Sequence, residues 1–338
     1  MSHVPVLLKE TIEILNPQPG EFFIDGTIGS GGHAAEILRK IGPKGKLLGI
    51  DWDNESLKRF ELKVESLKSK GKIILANRNY ADLPEILQSA ELRRLNADKR
   101  GTLKADGLLL DLGFSSESLG SGRGFTFQKN EPLDMRYNME SISISQFNNQ
   151  HESAAAVISN RSEKDLAEIF WKYGEERFSR QIARKIIEER KIKPIKTTFD
   201  LVEIIKKSIP KNYERSRIHP ATKVFQALRI YVNHELENLE KLLSDLEKII
   251  KNKPSHLTGI SAKSANNKSI PIRCGGKGRT AIISYHSLED RLVKNYFREL
   301  KNQGKAEILT KKPIRPTNEE IQANPRSRSA KLRAVEML

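Results

Sequence analysis

The stretch Glu21-Phe-Phe-Ile-Asp25-Gly-Thr-Ile-Gly-Ser-Gly-Gly-His33 decides the fold. A short apolar run closes on an acid, a glycine cluster follows, and Ala34 to Lys40 then carries a helical pattern. This reads as strand, turn and helix, with glycines at 26, 29, 31 and 32 letting the backbone turn tightly and approach a ligand. Working outward, Lys46-Leu-Leu-Gly-Ile-Asp51, Lys72-Ile-Ile-Leu-Ala76 and Asp106-Gly-Leu-Leu-Leu-Asp111 read as three more strands, with a helix over Ser56 to Lys70. Strands alternating with helices predict βαβ units and a parallel sheet. Ligands of such sheets bind at the carboxyl ends of the strands, where Asp25, Asp51 and Asp111 would meet.

The alternation stops near residue 131. Leu166, Ile169, Phe170 and Tyr173 repeat at helical spacing, and Phe178, Ile182 and Ile186 step by four, as do Leu201, Ile205 and Ile209. Residues 131–218 are therefore expected to form a helical domain inserted into an α/β domain made of 1–130 and 219–338. Apolar steps of three and four from Phe225 to Ile250 predict one long helix, pairing as a coiled coil, covering the sheet or bridging the domains. The sheet resumes at Thr280-Ala-Ile-Ile-Ser-Tyr285. Lys305 to Thr310 and Lys331 to Met337 then suggest a closing antiparallel pair.

A chain of 338 residues has room for about two domains and a sizeable core. Its formal net charge is +16, and residues 251–338 carry 19 basic and 7 acidic side chains, so most of the surplus sits in the last quarter. Lys251, Lys253, Arg273 to Arg279, Lys311, Lys312, Arg326, Arg328, Lys331 and Arg333 are expected to form a phosphate-tracking surface, and 251–280 a flexible basic loop. The single cysteine, Cys274, excludes an internal disulfide framework and a cysteine-based metal site, and the seven histidines show no metal spacing. With no apolar run able to span a bilayer and no signal-peptide pattern, a cytoplasmic protein without membrane contact is expected.

Asp51 closes the second strand 20 residues past Gly31, where an acid suits the two ribose hydroxyls of an adenosine ligand. A nicotinamide dinucleotide or S-adenosylmethionine would fit that pattern. The first needs backbone N–H groups on a pyrophosphate, whereas the second is cationic and favours nearby acids. Three strand-end acids favour S-adenosylmethionine and leave an NAD-dependent oxidoreductase as the alternative. A non-enzymatic RNA-binding protein is a third reading, opposed by the same acids, which would repel phosphate. Tyr80 would edge the adenine or pack as a core tyrosine, and His33 opens the helix after the glycines. Asp111 is the best catalytic candidate, since an acid after three leucines is costly to bury, with an N-cap or loop-bracing acid as the lesser alternative. His286 would line the site or cap the helix that starts near Ser287.

Asp25-Gly-Thr-x-Gly-x-Gly-Gly-His33, Leu109-Leu-Asp111-Leu-Gly, Arg123-Gly-Phe-x-Phe127 and Pro132-Leu-Asp-Met-Arg136 resemble the bacterial ribosomal RNA small subunit methyltransferase H family. So do Tyr173-Gly-Glu-Glu-Arg-Phe178, His219-Pro-Ala-Thr222, Phe225-Gln-Ala-Leu-Arg229, His286-Ser-Leu-Glu-Asp-Arg291 and Asn324-Pro-Arg-x-Arg-Ser329. The resemblance runs from about Val4 to the C-terminus. It implies a class I (Rossmann-like) S-adenosylmethionine-dependent methyltransferase with a helical domain inserted after the fourth strand. It also implies N4 methylation of one cytidine in the decoding region of 16S rRNA, presented as free RNA or in the small ribosomal subunit. The oligomeric state stays open, a dimer included. By position, the family's cofactor contacts fall on Gly31, Gly32, His33, Asp51, Tyr80 and Asp111. A further contact, usually glutamine, falls on Ser118, whose side chain is shorter. Tyr80 stands where phenylalanine is common, and the segment 254–270 is longer than the family's usual turn. Phe114, in Asp111-Leu-Gly-Phe114, is expected to stack on a flipped-out cytosine.

Overall fold

The computed structural model describes residues 5–66, 71–93, 103–113, 120–137, 152–210, 213, 219–252 and 277–338. The chain divides into two compact units, Met1–Gly113 with Asn238–Leu338, and Phe114–Glu237.

In the first unit the apolar runs form β1 (Phe22–Asp25), β2 (Lys46–Asp51), β3 (Lys72–Asn77), β4 (Gly107–Asp111), β5 (Arg279–Ser284), β6 (Ala306–Ile308) and β7 (Lys331–Met337). They make one sheet in the order β3-β2-β1-β4-β5-β7-β6. Strands β1 to β5 are parallel, and β7 runs antiparallel to both β5 and β6. Side chains alternate between two buried faces, as the pleat requires. Phe22, Ile24, Leu48, Ile50, Leu108 and Leu110 pack with Leu239, Leu243, Val293 and Phe297. On the other face, Phe23, Leu47, Leu109 and Ile283 pack with α1 (Leu8–Leu15), α2 (Gly32–Ile41) and α3 (Asn54–Ser66) through Leu15, Ile37, Ile41 and Phe60. Each fully buried Leu, Ile or Phe contributes about 1.5–3 kcal/mol, so two-sided burial rather than strand propensity holds the sheet. This is the expected class I arrangement. The antiparallel β7 between β5 and β6 separates it from the 3-2-1-4-5-6 dinucleotide-binding order.

The second unit, which enters the chain after β4, is helical: Ala154–Asn160, Glu163–Gly174, Ser179–Ile192, Thr198–Ser208 and Ala221–Asn233. Two of its helices start with reciprocal caps, Ser162 with Asp165 and Thr197 with Asp200. Leu166, Ile169, Phe170 and Tyr173 are buried as their spacing predicts, with Val224, Phe225 and Leu228.

The units divide at 113/114 and 237/238, where the sequence places boundaries at 130/131 and 218/219. Hydrogen bonding within the helical unit accounts for the difference. The Glu131 N–H donates to Thr198 Oγ1, the Leu133 N–H to the Lys196 carbonyl, and Asn233 Nδ2 to the Met135 carbonyl. Both the 120–137 loop and the Ala221–Asn233 helix are thus held by the helical unit.

The single long helix over 225–250 is corrected. Three helices occupy it, Ala221–Asn233, Glu235–Ser244 and Leu246–Ile249. His234 adopts φ +52° and ends the first by donating its N–H to the carbonyls of Ile230 and Tyr231. Most of the flexible loop expected at 251–280, and all of 254–270, lies outside the described residues. Among the described residues no helix is long and apolar enough to cross a membrane.

The basic quarter is also corrected in part. Arg279 is only 1% exposed, because antiparallel pairing sets it opposite Glu336, to which Nε donates at 2.8 Å. Its Nη1 donates to the Ile14 carbonyl. Lys331 and Arg333 share Asp290, and Lys251 pairs with Asp106. These cations hold the fold together. Lys311, Lys312, Arg315, Arg326 and Arg328 are exposed, while Lys253 and Arg273 lie outside the described residues.

Candidate active site

The parallel register sets the site. Asp25 pairs with Gly49 on one side and Leu109 on the other, so Asp51 and Asp111 each stand two residues further along their strands. Three neighbouring strands therefore end in carboxylates at the same sheet edge. The glycine turn between β1 and α2 is bonded into that edge: the Gly26 N–H donates to the Leu109 carbonyl, and the Ile28 N–H to the Ile50 carbonyl. Thr27 sits at the junction, its N–H donating to Asp25 Oδ1 at 3.1 Å and its Oγ1 accepting the Asp111 N–H at 2.6 Å.

Gly31 takes φ +69° and precedes the first turn of α2. A β-carbon there would lie 2.0 Å from the ring of Phe60, and one at Gly32 would lie 2.1 Å from Pro5. The space left by these glycines is filled by Phe60 and Pro5, so at these two positions the absence of a side chain serves packing within the protein rather than close approach of a ligand, contrary to the expectation. The start of α2 lies at the same edge, where the positive end of the helix dipole favours an anionic group.

Asp51 Oδ2 accepts the Gly29 N–H and Oδ1 the Asp53 N–H, each at 2.8 Å. Burial nevertheless pushes its pKa up to about 6, and the charge of Asp53 adds to this. Asp25 is buried, and desolvation lifts it to about 7 against the opposing Thr27 N–H, with the charges of Asp111 and Asp51 raising it further. A site that raises two carboxyls in this way gains free energy from a cationic or hydroxyl-donating ligand.

The His33 side chain is buried, with Nε2 3.0 Å from the Val6 carbonyl and Nδ1 3.8 Å from Asp111 Oδ2. Asp111 Oδ1 also accepts the Gly113 N–H at 3.2 Å. Tyr80 opens a short turn after β3, half-buried against the core and beside Gly26. The structure thus gathers Gly31, Gly32, His33, Asp51, Tyr80 and Asp111 along adjoining strand ends. Ser118 and Phe114 lie outside the described residues.

His286 caps the helix Ser287–Asn302: Nδ1 accepts the Glu289 N–H, and Glu289 Oε2 accepts the N–H groups of Tyr285 and His286. Of its two readings, capping is the one this geometry shows. Sequence reasoning passed over the Pro5-Val6 segment against Gly32 and His33, which no motif marks.

The family profile described as the MraW methylase family matches residues 1–274 and 268–338. The ribosomal RNA small subunit methyltransferase H of Thermotoga neapolitana is 42% identical over 340 residues, covering 99% of this chain and 96% of that one. Its namesake from Clostridium botulinum (strain 657) is 40% identical over 347 residues, covering 98% and 97%. That of Syntrophus aciditrophicus is 39% identical over 352 residues, covering 99% and 98%. With the sheet order, the strand-end carboxylates and these end-to-end matches in agreement, the chain belongs to the MraW methylase family.

Proposed function

We propose that this protein transfers the methyl group of S-adenosylmethionine to the exocyclic N4 amine of a cytidine in the decoding region of 16S rRNA. The observation that carries the reading is the row of Asp25, Asp51 and Asp111 at adjoining strand ends, two of them with raised pKa values. The names of the relatives support the ribosomal RNA substrate.

When bound, S-adenosylmethionine supplies a methyl group activated by its sulfonium. The residues present suit it. Asp51 accepts from the ribose hydroxyls, as an acid at the end of the second strand does in adenosine sites. The first-turn N–H groups of Gly32 and His33 favour the methionine carboxylate, and Tyr80 borders the adenine. Ser118 remains a position carried over from the family pattern. Asp111 accepts from the methionine ammonium or from the target amine. The N4 lone pair is delocalised into the ring, so an acceptor on its N–H favours the pyramidal, reactive nitrogen, and positioning supplies most of the rate. A flipped-out cytidine is reached through the strand edge, while the exposed Lys311, Lys312, Arg326 and Arg328, with the helical unit, track the RNA backbone.

The test is methyl transfer from labelled S-adenosylmethionine to free 16S rRNA and to small ribosomal subunits from cells lacking this protein, followed by mass mapping. Label on N4 of one decoding-region cytidine supports the reading. Label on another atom or elsewhere in the rRNA contradicts the assignment.

A further inference from the structure

We propose that Arg177 of the helical unit contacts the phosphate backbone of the rRNA substrate, its guanidinium held in place beforehand by the rings of Phe178 and Tyr213. The proposal rests on the reading of 16S rRNA as substrate and names one point where the helical unit grips it. Arg177 lies in Tyr173-Gly-Glu-Glu-Arg-Phe178, a motif that the strand-end site does not use. It is exposed, at the turn between the helices Glu163–Gly174 and Ser179–Ile192. Its guanidinium carbon sits 4.6 Å from the centre of the Phe178 ring and 4.5 Å from that of Tyr213. The two rings meet edge to face, 4.9 Å apart and inclined at 69°, so one cation is held by both.

The preceding acid sets this arrangement. Glu176 is fully buried, its Oε1 accepting the Phe178 N–H at 2.8 Å and its Oε2 the Tyr213 hydroxyl at 3.4 Å. Its own N–H donates to the Phe170 carbonyl, and its carbonyl accepts the Ser179 N–H. One inward carboxylate thus ties down the main chain of Phe178 and the phenol of Tyr213, while the next side chain lies outward against their rings. Among the described residues Arg177 has no carboxylate partner, and neither have the exposed Lys172 and Arg180 that flank it in sequence. Arg184, one turn further along, pairs with Glu163. Residues 172–180 therefore present three cations against one exposed acid, Glu175, which fits a polyanion. Stacking on rings leaves the planar N–H fork at the edge of the guanidinium free to match a phosphate. A side chain already restrained also loses less entropy on binding.

The experiment uses the full-length chain with free 16S rRNA and with small ribosomal subunits from cells lacking this protein. It measures RNA affinity across a range of salt, S-adenosylmethionine affinity by calorimetry, and the melting temperature. Arg177→Gln is expected to lower the slope of log affinity against log salt by about 0.7–1, and affinity at fixed salt about 3- to 10-fold. Donor affinity should not change. Arg177→Lys keeps the charge but loses the planar fork, so the slope should hold while affinity falls about 2- to 5-fold. Both variants should melt within about 3 °C of the parent. An unchanged slope and affinity in Arg177→Gln would overturn the proposal. A fall in melting temperature alone would do so too, making Arg177 a brace for Tyr213. Arg177→Lys indistinguishable from the parent would overturn the part given to the rings. A parent chain that binds neither RNA nor subunit would overturn the rRNA reading itself, and this proposal with it.

Discussion

Raising the pH should weaken the ligand-free protein and strengthen its hold on the methyl donor. Asp25 stands at about 7 and Asp51 at about 6, each against an ordinary 3.8. Both folded values lie above the unfolded one, so the stabilisation from holding these protons is complete below pH 3.8 and is lost as pH rises through about 6 and 7. At about 1.4 kcal/mol per tenfold change in proton affinity, the loss is about 4 kcal/mol for Asp25 and about 3 kcal/mol for Asp51. Donor binding favours the ionised forms, through the positive charge of the ligand and its ribose hydroxyls, and therefore expels the protons. At pH ~6.5 Asp25 is roughly three-quarters protonated and Asp51 roughly one-quarter, giving about one proton released per donor bound. Titration calorimetry at that pH, in two buffers of different ionisation heat, counts it directly. The affinity should rise between pH ~5.5 and ~7, while the melting temperature of the ligand-free protein falls. No proton release together with a flat affinity over that range would refute the reasoning.

Gly31→Ala places a side chain at φ +69° and 2.0 Å from buried Phe60. The left-handed backbone costs about 1–2 kcal/mol and the overpacking about 1–3 kcal/mol, so a thermal melt should show a drop of about 5–15 °C. Asp111→Asn should cut turnover at least ~10-fold in a methyl-transfer assay, since it removes a charged acceptor, and near-normal turnover would remove Asp111 from the mechanism. Replacing Arg326 and Arg328 together by Ala should lower the slope of log affinity for RNA against log salt by about 1–2, with donor affinity unchanged in calorimetry. An unchanged slope would place the RNA elsewhere.

The sheet was legible because its strands are short apolar runs, and the acids that close three of them mark the site. Asp25, Asp51 and Asp111 follow from one pattern that local sequence displays. Contacts made between distant segments were not legible. Arg279 reads as part of a basic run, yet β5–β7 pairing buries it against Glu336, 57 residues away. The break at His234 carries no glycine or proline, so apolar spacing runs straight through a residue that the fold turns into the left-handed region. The Pro5-Val6 segment gains its meaning only from where α2 brings Gly32 and His33.

The most direct test of the central claim is one calorimetric titration of the full-length chain, with S-adenosylmethionine in one arm and NAD in the other. Strand-end carboxylates built around a cationic adenosine ligand should give saturable 1:1 binding of the first and no heat from the second, and weakened binding in Asp51→Asn. Binding of NAD, or S-adenosylmethionine affinity untouched by loss of the Asp51 carboxylate, would contradict the account.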